Sequence, residues 1–244
     1  MATTGTTNFN LDFAELAEEA FERAGREMRT GYDLRTARRS MNLLTIEWVN
    51  RGINLWTIDE GSIDLSKGVS GYSLPTDTVD VCEMSVRENQ GVIATQSDTN
   101  LNRISVSTYA AIPNKLTQGK PVQALVHRLG TDGSYKSTEV PSGSTATPFL
   151  TVWPVPDKDS TYKINYYRVR RIEDAGNGVE NQDIPFRFLP CAVAGLAYYI
   201  AMKIPDLMPR VQMLKQDYDE QFALAAAEDR EKTSARFVPS IGYH

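Results

Sequence analysis

Apolar residues recur at three- and four-residue steps near both ends of the chain and at two-residue steps in between. Leu11, Phe13, Leu16, Ala20, Phe21, Ala24 and Met28 form one helical stripe, with Glu15, Glu18, Glu19 and Glu22 early and Arg23, Arg26 and Arg29 late. Those charges complement a helix dipole, so the pattern predicts a helix over about residues 11–30. With Gly31 as a breaker, Ala37, Met41, Leu44 and Trp48 predict a second helix over about residues 34–51, stopped by Gly52. Two helices joined by so short a link form an antiparallel hairpin. Beyond residue 53 the period falls to two. Ile63 and Leu65, then Cys82, Met84 and Val86, then Ile104 and Val106, then Val122, Ala124 and Val126, then Tyr162, Ile164 and Tyr166 alternate with polar residues. The turn-rich stretches GTDGS (130–134), SGSTATP (142–148) and PVPDKDS (154–160) punctuate them. Residues 57–172 therefore read as antiparallel strands, with one or two helical turns near residues 108–112. Helical spacing returns with Phe186, Leu189, Val193, Leu196 and Ile200. After a cap region at Asp206 and Pro209 it resumes with Val211, Leu214, Tyr218, Phe222 and Ala225, to about residue 230.

This order predicts an α+β fold. The N- and C-terminal helical hairpins, residues 11–56 and 184–232, form a four-helix bundle, because each helix has one apolar face to bury. An inserted antiparallel β domain, residues 57–183, projects from it. Residues 1–10 form a small, polar, flexible arm, and residues 233–244 an extended C-terminal tail. Trp48 and Trp56 bracket the junction from helix to strand and are expected to seal it.

Composition narrows the class. The 244 residues are 41% hydrophobic and 23% charged, which suits a packed globular chain. No apolar run reaches the ~18–20 residues of a bilayer span, so no membrane partner is expected. The opening MATTGTTNFN has neither the basic start nor the apolar block of a signal peptide, so the protein is expected to remain in the reducing cytoplasm where it is made. Cys82 and Cys191, far apart and without a neighbouring Cys or His, are expected in the core rather than in a disulfide or zinc site. The net charge of −5 opposes a protein that works by coating nucleic acid.

Candidate chemistry is sparse. His127 and His244 are the only histidines, and neither GxxxxGK[ST] nor GxGxxG occurs. Asp157 and Asp159, or Asp174, Glu180 and Asp183, do not follow a calcium-loop pattern and read as solvated turns. No catalytic residue, cofactor or metal ligand is predicted. One alternative function is a nucleic-acid-binding module that uses Arg35, Arg38 and Arg39 at the first helix turn and Arg168 and Arg170 in the strand YYRVRR. Nearby Glu18, Glu19, Glu22, Glu27 and Asp33 favour ion pairs instead, and strand alternation puts Tyr166 and Tyr167 on opposite faces.

Several segments carry a family likeness. ARRSMNLLTIEWVNRGINLWTIDEGSIDLSKGVSGYSLPTDTVDVCEMSVRE is followed by TYAAIPNK, GKP, LTVWPVPDKDSTYKINYYRVRRI and DIPFRFLPCAVAGLAYYIA. In this order they resemble the head-to-tail adaptor, or tail tubular, proteins of short-tailed bacteriophages (podoviruses), over about residues 10–230. The resemblance implies a non-enzymatic virion protein of the neck or tail. It would form a ring, generally of twelve copies, under the portal protein, extend the channel through which genomic double-stranded DNA passes, and give a platform for tail nozzle or fibre proteins. The helices would build the ring wall, and the C-terminal extension would reach the portal or a neighbouring subunit through Arg236, Phe237, Val238, Pro239, Ile241 and Tyr243. Those apolar side chains cannot build a core of their own, and Pro239 and Gly242 prevent a longer helix, so they need a groove supplied by another surface. An acidic exterior suits a DNA conduit, since a basic lining would hold the phosphates.

Overall fold

The computed structural model describes residues 3, 5–6, 9–53, 55–128 and 148–229. Helices α1 (Phe13–Ala24) and α2 (Gly31–Asn50) come first. They are followed by strands β1 (Ile58–Asp64), β2 (Gly71–Ser73), β3 (Thr78–Glu88), β4 (Ser97–Asn100) and β5 (Asn102–Arg103). A short helix α3 (Val106–Ala110) precedes β6 (Gln123–His127), β7 (Phe149–Trp153) and β8 (Tyr162–Arg170), and α4 (Leu189–Ala201) and α5 (Val211–Glu228) are the last helices among the described residues. The fold is thus mixed α+β. It divides into a helical unit, drawn from the described residues up to Trp56 and from Ile172 onward, and a β unit, Thr57–Arg171.

In the helical unit, Asp12 caps α1 by accepting from Glu15 N at 2.8 Å, and Glu15 reaches back to Asp12 N. The helix stops six residues before the period alone suggests. Gly25 adopts φ 95° and turns its N–H onto Phe21 and Glu22 carbonyls, while Arg210 donates to Ala24 O at 3.1 Å and occupies the place of a β-carbon. Gly31, expected as a breaker, is instead the first residue of α2, because Thr30 and Asp33 form a second capping box ahead of it. The long apolar helix α4 contacts α1, α2 and α5, and nearly all of its residues from Cys191 to Ala201 are buried. Its Ala- and Gly-rich sequence lets three neighbours approach. Residues 172–183, expected with the β segment, belong to the helical unit: Asn181 pairs with Asp12, Ala14 N donates to Gly178 O at 3.0 Å, and Ala175 N donates to Asn42 Oδ1 at 2.9 Å.

The β unit packs two four-stranded sheets, ordered β1-β8-β3-β4 and β2-β7-β6-β5, around one core that includes Leu65, Val81, Met84, Val86, Leu150, Val152 and Ile164. Three readings of this segment change. The β5–β6 pairing is parallel, so the unit is not wholly antiparallel. Val106 starts α3, capped by Ser105, instead of extending a strand. Cys82 is exposed: the β3–β8 register shifts between Val81 and Glu83, a bulge that turns Val81 inward and Cys82 out. Cys191 is buried as expected, and Tyr162, Ile164 and Tyr166 all face the core. GTDGS at 130–134, most of SGSTATP, part of the N-terminal arm and the whole tail at 233–244 lie outside the described residues.

Candidate functional site

The residues first singled out for chemistry are largely engaged in holding the fold. In the β unit, Arg168 donates to Asp77 Oδ1 at 2.6 Å and to Thr78 Oγ1 at 2.9 Å, and lies 3.5 Å from Asp59. Arg170 contacts the same Asp59 at 3.2 Å. The Arg168 guanidinium holds the Asp77 carboxyl below its usual range. These two arginines are tied to carboxylates within their own unit. In the helical unit, Arg35, Arg38 and Arg39 share one face of α2 and are exposed. Arg38 donates to Asn177 Oδ1 at 3.3 Å and Arg39 to Thr36 Oγ1 at 3.5 Å. Around them Arg23 pairs with Glu19, Arg26 with Asp33 and Arg29 with Glu27. The arginines on α2 and on β8 belong to different units.

The loop carboxylates build turns. Asp157 accepts from the Tyr162 hydroxyl at 2.9 Å and Asp159 from Lys67 N at 2.7 Å. Glu180 accepts from Asn177 N and Gly178 N, and these backbone bonds lower its pKa. Asp183 Oδ2 accepts from Glu173 N at 3.2 Å. Among the described residues no cluster of His, Cys, Asp and Glu has the arrangement of a metal site.

A polar cluster missed by periodicity lies inside the helical unit. Glu47 on α2 accepts from Tyr199 at 2.5 Å and from Tyr218 at 3.2 Å, and pairs with Arg51. The Tyr218 hydroxyl in turn accepts from Trp48 Nε1 at 3.1 Å. Trp48 and Trp56 both pack on Phe188, and Trp56 donates to Asp183 O, so both serve the helical core. Burial, together with the neighbouring Glu47 carboxylate, pushes the Tyr199 hydroxyl from 10.0 to about 12 and raises that of Tyr218. The folded state therefore keeps protons that the unfolded chain releases near pH 10. Stability from Tyr199 is intact below pH 10 and lost as pH rises toward about 12. Urea unfolding at steps between pH 9 and 12 is expected to show this decline, and Tyr199→Phe to make it shallower.

The helical unit also presents apolar side chains outward. On α2, Leu43 and Ile46 are about half exposed at three-residue spacing, off the buried stripe of Ala37, Met41, Leu44 and Trp48. That displacement from the stripe was the available signal in the sequence. Phe186, counted with the core stripe of the third helix, sits instead in a 3-10 turn before α4 and is 77% exposed. It rims a groove of about 1000 Å³ between α1 and α4, floored by Leu11, Leu189, Pro190 and Val193 and walled by Glu15, Glu18, Glu19 and Glu22. In the β unit, Val92 and Ile93 stand exposed at the tip of the β3–β4 hairpin. Such surfaces suit contact with other polypeptides.

No helix among the described residues is long and apolar enough to cross a membrane. In comparison with known proteins, a family model described as SU10 adaptor protein matches residues 11–240. No curated protein matches.

Proposed function

The chain belongs to the SU10 adaptor protein family, and from that membership we propose that it is a structural protein of a bacteriophage virion, a ring-forming connector between the portal and the tail. The family match carries this reading, because it spans both units and falls on a sequence whose order of segments resembles phage head-to-tail adaptors. The adaptor expectation drawn from those segments thus agrees with the family at the level of a phage structural adaptor.

The finer picture follows from the resemblance. Twelve copies close a ring beneath the portal of a short-tailed phage, the helices pack as a bundle in the ring wall, the β domain meets nozzle or fibre proteins, and genomic double-stranded DNA passes through the bore. Support comes from outward apolar side chains on α2 and at the β3–β4 tip, which need partners, and from the net charge of −5, which lets a phosphate backbone slide. Arg236, Phe237, Val238, Pro239, Ile241 and Tyr243 dock on the portal or a neighbouring subunit. A tail that is weak alone holds firmly when a closed ring of tails meets a ring of sites.

Mixing the protein with portal rings and imaging the product tests this. Full-length protein is expected to add a second ring beneath the portal, and protein lacking residues 233–244 to keep its fold yet fail to dock. Normal docking by the truncated protein would remove the tail from this role, and no ring with either protein would overturn the connector reading.

A further inference from the structure

We propose that before assembly the groove between α1 and α4 holds the C-terminal segment of the same chain, residues 230–244, covering its apolar side chains until a portal or neighbouring surface takes them. The hand-over rests on the adaptor reading; occupancy of the groove does not, and is a property of the isolated protein.

Position comes first. The Asp229 carboxylate accepts from Arg187 at 3.3 Å and from Leu55 N at 3.4 Å, and its side chain is only 2% exposed. The root of the segment is therefore fixed beside Arg187, one residue from Phe186 on the rim of the groove. From Phe186 to Val193 the groove follows seven residues, about 10 Å along a helix. Residues 230–237, if extended, span roughly 25 Å. The segment can reach the whole floor without unwinding α5.

Chemistry agrees with position. The floor offers Leu11, Phe186, Leu189, Pro190 and Val193, and its volume of about 1000 Å³ has room for several large side chains. The segment supplies Phe237, Val238, Ile241 and Tyr243, preceded by Arg230, Lys232 and Arg236. Four glutamates line the facing wall. Glu19 already pairs with Arg23 and Glu15 serves the α1 cap, but Glu18 and Glu22 have no ion-pair partner among the described residues. Cationic residues ahead of an apolar cluster match an acidic wall above an apolar floor. Tethering raises the effective concentration of the segment at the groove to the millimolar range, so even modest complementarity keeps it seated.

The test uses a fluorescent peptide of residues 230–244, the full chain, and a chain ending at Asp229, which retains every described residue of both cores. The peptide is expected to bind the shortened chain and to bind the full chain at least tenfold more weakly, because the tethered copy competes. In the shortened chain, Glu18→Lys with Glu22→Lys, and separately the surface change Phe186→Ser, are each expected to weaken binding at least tenfold. Absence of binding to the shortened chain, equal binding to both chains, or indifference to those changes would overturn the proposal. So would concentration-dependent dimers of the full chain that disappear on truncation, since the occupant would then be a second copy. Docking on portal rings is measured apart from these, so failure here leaves the connector reading standing.

Discussion

Replacing Gly195 by leucine is expected to abolish folding of the helical unit, and replacing it by alanine to destabilise it. Gly195 lies in α4 where α2 and α5 press closest: a β-carbon there would stand 2.8 Å from Leu44 Cδ1 and 2.9 Å from Tyr218 Cε2. Both neighbours are fully buried, so they have little room to retreat. Two effects oppose each other in the alanine variant. Helix propensity favours alanine over glycine by about 1 kcal/mol, whereas overpacking a tight core costs about 1–3 kcal/mol. The second exceeds the first because both contacts are under 3.0 Å. Urea unfolding followed by helical circular dichroism measures the balance, and a more stable alanine variant would show that the helices part easily.

The second large effect is expected at Trp48. It is among the largest fully buried side chains, its ring packs 5.5 Å from Phe188, and its indole N–H donates to Tyr218. Truncation to alanine removes the packing and leaves the Tyr218 hydroxyl short of a donor, at a cost of about 3–5 kcal/mol. Set against the ~5–15 kcal/mol that holds a typical domain together, this leaves the unit near its melting threshold. Tyr218→Phe, which keeps the packing and removes one hydrogen-bonded group, is expected to cost about 1–3 kcal/mol. Comparing the two midpoints separates shape from hydrogen bonding.

Periodicity was a good guide wherever one face of an element decides its fate. The stripe of Ala37, Met41, Leu44 and Trp48 is buried throughout, and so are Tyr162, Ile164 and Tyr166. It was a poor guide where a single backbone event resets the count. Met28 continues the α1 stripe and is partly buried against the same core, yet it lies beyond the helix, because Gly25 turns the chain and the apolar contact is made from a loop. At Cys82 the alternation was read correctly as a strand and wrongly as to face, since a bulge at this residue, between Val81 and Glu83, inverts the parity. The parallel pairing of β5 with β6 could not be read locally, because register across a connection of about twenty residues leaves no trace in either two- or five-residue strand.

The arginines illustrate a different loss. Composition shows that Arg168 and Arg170 exist, but only the fold reveals that Asp59 of β1 and Asp77 in the turn before β3 come to meet them. The groove between α1 and α4 was hidden for the same reason: Phe186 fits the apolar spacing of the helix that follows, and its exposure depends on the 3-10 turn that carries it. Membership among phage adaptors, by contrast, was legible from ordered segments that carry no chemistry, such as YSLP and WPVPD, because an interaction protein is specified by its scaffold and surfaces.

The helical unit is assembled from segments on either side of the β unit, with α1 and α2 made before it and α4 and α5 after it. During vectorial synthesis the whole β unit is translated before the central helix of the other unit. The early hairpin must therefore wait, at ~5–20 residues per second for several seconds, with Phe13, Phe21 and Trp48 lacking the helix that will cover them. Nascent chains stalled before residue 189 are the species on which a bacterial holdase would find its clearest target.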